Sequence, residues 1–158
     1  MLELGKSGSH GTGKGAVPVL SDGAVVATLH ASNWKEAATA EVGARSWVFS
    51  RSGRELTGRW AAEPADAVRL RARQISYWKG TWSVELDGVP VEMETASMWR
   101  GTHRWSAGGR PLAESGRTGG WNPKPTLTAE PGLPLDSQVF LLWLELLMMR
   151  RSAAAAAA

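Results

Sequence analysis

A few groups of residues in this chain have the type and spacing to do chemistry. The histidines, His10, His30 and His103, are scattered. None has metal-ligand spacing to another histidine or to a carboxylate. His103 lies between Trp99 and Trp105 at strand period, which makes it a core or rim histidine rather than a catalyst. Glu92 and Glu94 are two apart and share one face of a strand. Paired carboxylates cleave glycosides at roughly 5–10 Å, but outward neighbours on a hairpin usually serve solubility. Gly8-Ser9-His10-Gly11-Thr12-Gly13-Lys14 fits G-x-x-x-x-G-K, yet Gly15 stands where Ser or Thr would hold magnesium. No strand is expected before it, and Pro18 would break a following helix in its first turns. There is no G-x-S-x-G elbow and no cysteine, which excludes thiol nucleophiles, thiolate metal sites and disulfides. The chain reads as a non-enzyme that needs no cofactor or metal.

Binding chemistry has better candidates. Arg69, Arg71 and Arg73 alternate with Val68, Leu70, Ala72 and Gln74-Ile75, so they should form a row on the wet face of a strand. Lys79 follows on the next strand, and Arg100 and Arg104 form a similar, weaker pair. Such a row can hold an anion, including a phosphorylated headgroup. It can also simply cover a sheet and pair with glutamates, each pair worth roughly 0.2–1 kcal/mol. Nine tryptophans against one tyrosine and two phenylalanines is an unusual balance. Indoles can stack bases or sugars, although the parity of most of them points inward. Trp34 and Trp121 are the two expected at the surface. A net charge of +3 and a pI near 9.7 permit nucleic acid or anionic membrane as partners without requiring either.

The elements that must position these residues are mainly strands. From residue 16 to about 130, turn signals recur every 8–12 residues or so, the spacing of an all-β sandwich or barrel. A two-residue turn at Asp87-Gly88 sets Leu86 against Val89, Val84 against Val91 and Trp82 against Met93, all apolar. Ser83 with Glu92 and Thr81 with Glu94 fall on the other face. The same reading at Ser52-Gly53 sets Phe49 against Leu56, Trp47 against Gly58 and Arg45 against Trp60. Gly108-Gly109 pairs Trp105 with Leu112, with Pro111 suited to an edge. Tyr77 to Leu86 alternates, sending Trp78, Trp82, Val84 and Leu86 inward. Clean alternation means one wet face per strand, so helices do not cover both sides of the sheet.

The run from Val139 to Met149 is apolar except for Glu145. A helix apolar nearly all round must be surrounded, and this one falls far short of the roughly 20 residues needed to cross a bilayer. Gln138, Glu145 and Ser152 form one narrow polar seam. Asp136 is the expected N-cap, and Arg150 and Arg151 close the last turn, where cations suit the helix dipole. Glu145 cannot stay charged and unpaired inside at moderate cost. It should meet an arginine, an indole N–H, or water at a barrel mouth. The expected fold is therefore mostly β: a closed antiparallel barrel of about 10–12 strands enclosing one hydrophobic helix over about 136–151. Residues 1–15 read as a flexible Gly-rich arm, 16–152 as one barrel domain and 153–158 as an alanine tail.

This arrangement, the Asp136-to-Arg151 helix behind a Pro-rich lead-in and the Ser52-to-Arg59 hairpin with its flanking glycines, resembles the tubby C-terminal-like superfamily. That superfamily includes the plant LURP-one-related proteins and the phospholipid scramblases. The resemblance covers roughly residues 16–151. It implies a barrel of about a dozen strands around a C-terminal helix, and a basic outer face that binds lipid headgroups. The chain has no cysteine-rich palmitoylation run and no terminal span, unlike an anchored scramblase. The N-terminus lacks the basic and apolar regions of a secretory signal, so a cytoplasmic protein, peripheral at the membrane, is expected. Its partner should be an anionic membrane surface or a protein, bound through Arg69, Arg71, Arg73, Lys79, Arg100 and Arg104. The rival is a single-stranded nucleic-acid or glycan binder using exposed tryptophans, with nucleic acid the less favoured partner.

Overall fold

The computed structural model describes residues 1–76 and 78–158. Its strands are β1 (Leu2–Leu4), β2 (Val17–Ser21), β3 (Ala24–Ala31), β4 (Ala38–Val42), β5 (Arg45–Ser52), β6 (Glu55–Trp60), β7 (Leu70–Ser76), β8 (Thr81–Leu86), β9 (Val89–Ser97), β10 (Thr102–Ala107), β11 (Arg110–Arg117) and β12 (Pro125–Ala129). One helix, α1 (Leu135–Ala157), follows them. Each strand pairs antiparallel with its neighbours in sequence, and β1 pairs with β12 to close the barrel. Closure leaves no strand of the described residues without a neighbour on each side. The first residues, expected as a free arm, thus supply the closing strand. Leu2 and Leu4 are buried there because they alternate inward with Glu3 facing out.

Parity decides what enters the core. Trp47 and Phe49 on β5, Leu56 on β6, Leu70 and Ala72 on β7, Trp82, Val84 and Leu86 on β8 and Trp105 on β10 all point inward. They close on the run from Val139 to Leu144 along α1, where Phe140, Leu141 and Trp143 lose all contact with solvent. Phe49 packs on Phe140 and Trp143 at ring-centroid distances of 5.3 and 5.2 Å. Each fully buried side chain of this size contributes about 1.5–3 kcal/mol. The helix can bury apolar residues on every side because sheet surrounds it.

Three hairpins show how far pattern determines register. At Asp87-Gly88 the observed pairs are Leu86 with Val89, Val84 with Val91 and Ser83 with Glu92, as expected. Both turn residues have positive φ (48° and 82°), the I′ geometry that a two-residue loop of this sequence favours. The β5–β6 hairpin differs from expectation. Its turn is Gly53-Arg54, so Phe49 faces Gly58, Trp47 faces Trp60 and Arg51 faces Leu56. Gly53 takes φ 61° at the first turn position, which is where a II′ turn needs glycine. At β10–β11 a bulge after Trp105 shifts the pairing to Ala113. Leu112 becomes the extra residue, and Pro111 lies beside that bulge, past the last β12 partner of β11, where its second side is an open edge as expected.

Helix α1 also corrects two expectations. It starts one residue earlier, with Pro134 rather than Asp136 at the cap position and no side-chain cap, and it runs on through the alanines to Ala157. Alanine is the strongest helix former, which explains the extension. Arg150 and Arg151 therefore sit inside the helix, not in its last turn. The Asp136 carboxylate instead accepts from Arg45 Nη1 at 3.0 Å and Trp47 Nε1 at 3.1 Å, tying the start of α1 to β5. At the other end Arg150 donates to the Ser32 carbonyl and Arg151 to Glu36, both in the β3–β4 connection. These ties fix the direction of the helix, which enters beside the start of β5 and leaves beside the β3–β4 loop.

Candidate binding rim at the helix exit

The arginine row lies on the outer wall, and most of it is already neutralised. Arg69, just before β7, hydrogen-bonds Glu63 at 2.5 Å and stacks 3.5 Å over the Trp60 ring. The bond to Glu63 pushes the Arg69 guanidinium above its usual pKa, so it stays charged. Arg71 pairs with Glu55 at 2.8 Å. Arg104 lies opposite Glu94 and Glu114 in the sheet, with Glu114 3.6 Å from its Nε. Arg73 is exposed between Glu55 and Ser83 in register. Lys79 and Arg100 do not continue this row. Lys79 sits in the β7–β8 turn and Arg100 in the β9–β10 turn, at one end of the barrel.

That end is where α1 leaves. Gly80 and Gly101 from those two turns line a cleft of about 190 Å³ with Met149, Arg151 and Ser152 of the helix. Asn33 of the β3–β4 loop and Asn122 and Lys124 of the β11–β12 loop line a second cleft, of about 510 Å³, with Met149, Arg150 and Ala153. The Gly-rich β1–β2 connection also reaches this second cleft through Gly5, Ser7 and Gly15. Strand β2, not a helix, follows its G-x-x-x-x-G-K stretch, so the phosphate-loop arrangement is not formed.

His103 and Glu145 lie below the rim. Glu145 is buried, and its carboxylate accepts from Trp105 Nε1 at 3.1 Å. His103 Nδ1 lies 2.9 and 3.1 Å from its two oxygens. An ionised carboxylate only accepts, and beside one the imidazole presents Nδ1–H. The backbone N–H of His103 donates to Ser115 Oγ at 2.8 Å, which ties β10 to β11 at this position. The indole partner is among those expected for Glu145; the histidine is not. The pair is separated by 42 residues and only the barrel joins it.

The rim also carries the exposed indoles. Trp34, Trp78, Trp99 and Trp121 have relative exposures of 96, 97, 101 and 105%. Trp34 and Trp121 lie outside, as expected. Trp78, expected inside, does not follow its alternation. Strand β7 ends at Ser76 and β8 begins at Thr81, so Trp78 lies in the turn between them, and a shift of pairing between Gln74 and Ser76 leaves Ile75 exposed as well. Tyr77, the expected start of that strand, lies outside the described residues.

A short sequence repeat marks these tips. Ser76-Tyr77-Trp78-Lys79-Gly80-Thr81 and Ser97-Met98-Trp99-Arg100-Gly101-Thr102 match as Ser-x-Trp-Lys/Arg-Gly-Thr, and Ser32-Asn33-Trp34-Lys35 repeats the first part. In each, the serine Oγ accepts from the backbone N–H of the cationic residue three positions on, at 3.0 to 3.3 Å. Gly80 and Gly101 both turn the chain at φ 60°, which a side chain would resist. In the fourth tip, Thr118 Oγ1 accepts from the Lys124 N–H at 2.8 Å, six residues on.

No family model matches this chain, nor does any curated protein or solved structure.

Proposed function

We propose that the chain is a non-catalytic binding module of the tubby-like barrel type, whose ligand is an anionic membrane surface. The observation that carries this reading is the uneven charge of the two barrel ends. Among the described residues of the connections at the helix exit, Lys6, Lys14, Lys35, Arg54, Lys79, Arg100 and Lys124 stand against one acid, Glu36. Glu36 is itself bridged by Arg51 and Arg151. The connections at the other end carry Asp22, Glu63, Asp66, Asp87 and Glu130, with Arg69 as their one cation. A barrel polarised in this way turns its basic end toward an anionic surface before contact. The barrel architecture supports the tubby-like assignment, and the peripheral location follows from the same reading.

Of the six residues expected to bind, Lys79 and Arg100 fit this role. Arg69, Arg71 and Arg104 face glutamates, and the bland role of covering a wet sheet suits them. The rival reading, stacking of single-stranded nucleic acid or glycan, draws on the exposure of Trp34 and Trp121. Sedimentation with vesicles tests the proposal. At low salt the protein should pellet with vesicles containing phosphatidylserine, stay in solution with phosphatidylcholine alone, and be released by salt. Each basic residue near such a surface contributes about 1 kcal/mol. Lys79→Glu with Arg100→Glu should therefore weaken retention at least about tenfold. Failure to pellet at low salt, or equal retention on neutral vesicles, would overturn it.

A further inference from the structure

We infer that Trp34, Trp78, Trp99 and Trp121 form a ring of membrane-inserting tips, on which the barrel stands end-on with the indoles in the headgroup layer of an anionic bilayer. This rests on the membrane reading above and goes beyond it, since charge alone would hold the protein at the surface without insertion. The nine tryptophans fall into two sets. Five are packed against the core, and these four, each on a different hairpin, are almost wholly exposed. The four hairpins all border the clefts around the exit of α1. Ile75 and Met98 are exposed at the same end, whereas the opposite end exposes only Met1, Val25 and Val89 among large apolar side chains of the described residues.

Each ring member has a cation close by. Lys35, Lys79 and Arg100 directly follow their tryptophans, and among the described residues none of the three has an ion-pair partner. Lys124 follows Trp121 by three, although its Nζ is held by the Gly5 carbonyl at 2.8 Å. An indole has an apolar face and one N–H donor, and it settles at the membrane–water interface for that reason. A cation beside it meets the phosphate at the same depth. The serine-capped turns make the exposure a property of the loop backbone rather than of one rotamer.

The distribution around the barrel selects the partner. Neighbouring hairpin tips are two strands apart, about 10 Å along the circumference. The tips occupied are those of β3–β4, β7–β8, β9–β10 and β11–β12, so they go most of the way round a closed circle. A bilayer can meet all of them at once, because its headgroup layer yields around the exposed alanine turns of α1 that project between them. A single nucleic-acid strand needs successive stacking rings along one path, and a circle with a helix end at its centre offers only an arc.

The test uses the whole chain, phosphatidylserine/phosphatidylcholine vesicles carrying bromine at defined acyl depths, and Trp→Ser changes at the ring. Binding should bring a blue shift, with quenching strongest for the shallowest bromines. If each indole buries a quarter of its roughly 150–250 Å², each removal should weaken partitioning close to tenfold. The thermal midpoint should stay unchanged, because these side chains touch nothing in the core. Retention with no quenching, insensitive to Trp78→Ser/Trp99→Ser, would overturn the insertion ring while leaving the anionic-surface reading intact. Absence of binding by the unaltered protein would overturn that reading itself. Quenching by single-stranded poly(dT), with none by vesicles, would overturn both in favour of the nucleic-acid rival.

Discussion

Gly58→Ala isolates the packing of the β5–β6 hairpin against the helix. A Cβ at this position would lie 3.2 Å from Leu70 Cβ, Leu70 Cδ1 and Phe49 Cδ1. Ordinary carbon contacts begin a few tenths of an ångström farther out. Neither neighbour can easily retreat. Leu70 Cβ is fixed by its own backbone in β7, and the Phe49 ring is held by Phe140, Trp143 and Trp47. Overpacking of this kind costs about 1–3 kcal/mol, against a gain of up to about 1 kcal/mol from a less flexible unfolded chain. The net expectation is a loss of about 1–2 kcal/mol, or roughly 2–8 °C in thermal midpoint for a domain of this size. Urea melts with an unchanged slope would measure it, and Phe49→Leu should cost less in the Gly58→Ala background than in the parent chain. A neutral or stabilising Gly58→Ala would refute the reasoning, since it would mean Phe49 does not lie over Gly58.

Three further outcomes follow from the same contacts. Leu142→Ala, at a fully enclosed site, should cost about 2–5 kcal/mol, and Leu146→Ala, which borders the larger cleft, clearly less; equal costs in denaturant titration would contradict the placement of α1. His103→Leu should cost about 1–3 kcal/mol by leaving the Glu145 carboxylate with a single indole donor. Adding Glu145→Leu should then cost less than in the parent chain, and strict additivity in the double-mutant cycle would argue against the pair. Arg71→Ala should cost no more than about 0.2–1 kcal/mol and change vesicle retention less than about twofold, whereas Lys79→Ala should weaken retention about fivefold. Equal effects on retention would return the binding surface to the wall.

The barrel around a helix was legible because two kinds of pattern agree: strands with one apolar face, and a terminal segment apolar on all sides. The Asp87-Gly88 register was legible because both residues suit the I′ turn. The Ser52-Gly53 register was not, since sliding the turn by one residue moves the pairing by two and keeps every side chain on its face. Alternation is blind to that slip, and only the demand of a II′ turn for glycine in its first position separates the two. The strand Leu2–Leu4 was too short to signal itself beside the Gly-rich loop. Period-two reading carried Trp78 inward because it ran the alternation of β8 back past Gly80, whereas the strand starts at Thr81 and Trp78 belongs to the turn. The Glu145–His103 contact depends on long-range closure, which no local spacing encodes. The rim was legible in part, through Trp34 and Trp121, and the Ser-x-Trp-Lys/Arg repeat would have extended it to the Trp78 and Trp99 tips.

Depth at the two ends of the barrel tests the central claim most directly. The chain has no cysteine, so single labels can be placed without removing native thiols. Nitroxides at Asn33→Cys, Met98→Cys and Asn122→Cys mark the helix-exit end, and Ala44→Cys and Ala62→Cys mark the other, all at exposed positions. On phosphatidylserine vesicles, power-saturation measurements should place the first three at headgroup depth and leave the last two as water-accessible as in free solution. Equal accessibility at both ends, or immersion of labels on the Arg71–Arg73 wall instead, would contradict it.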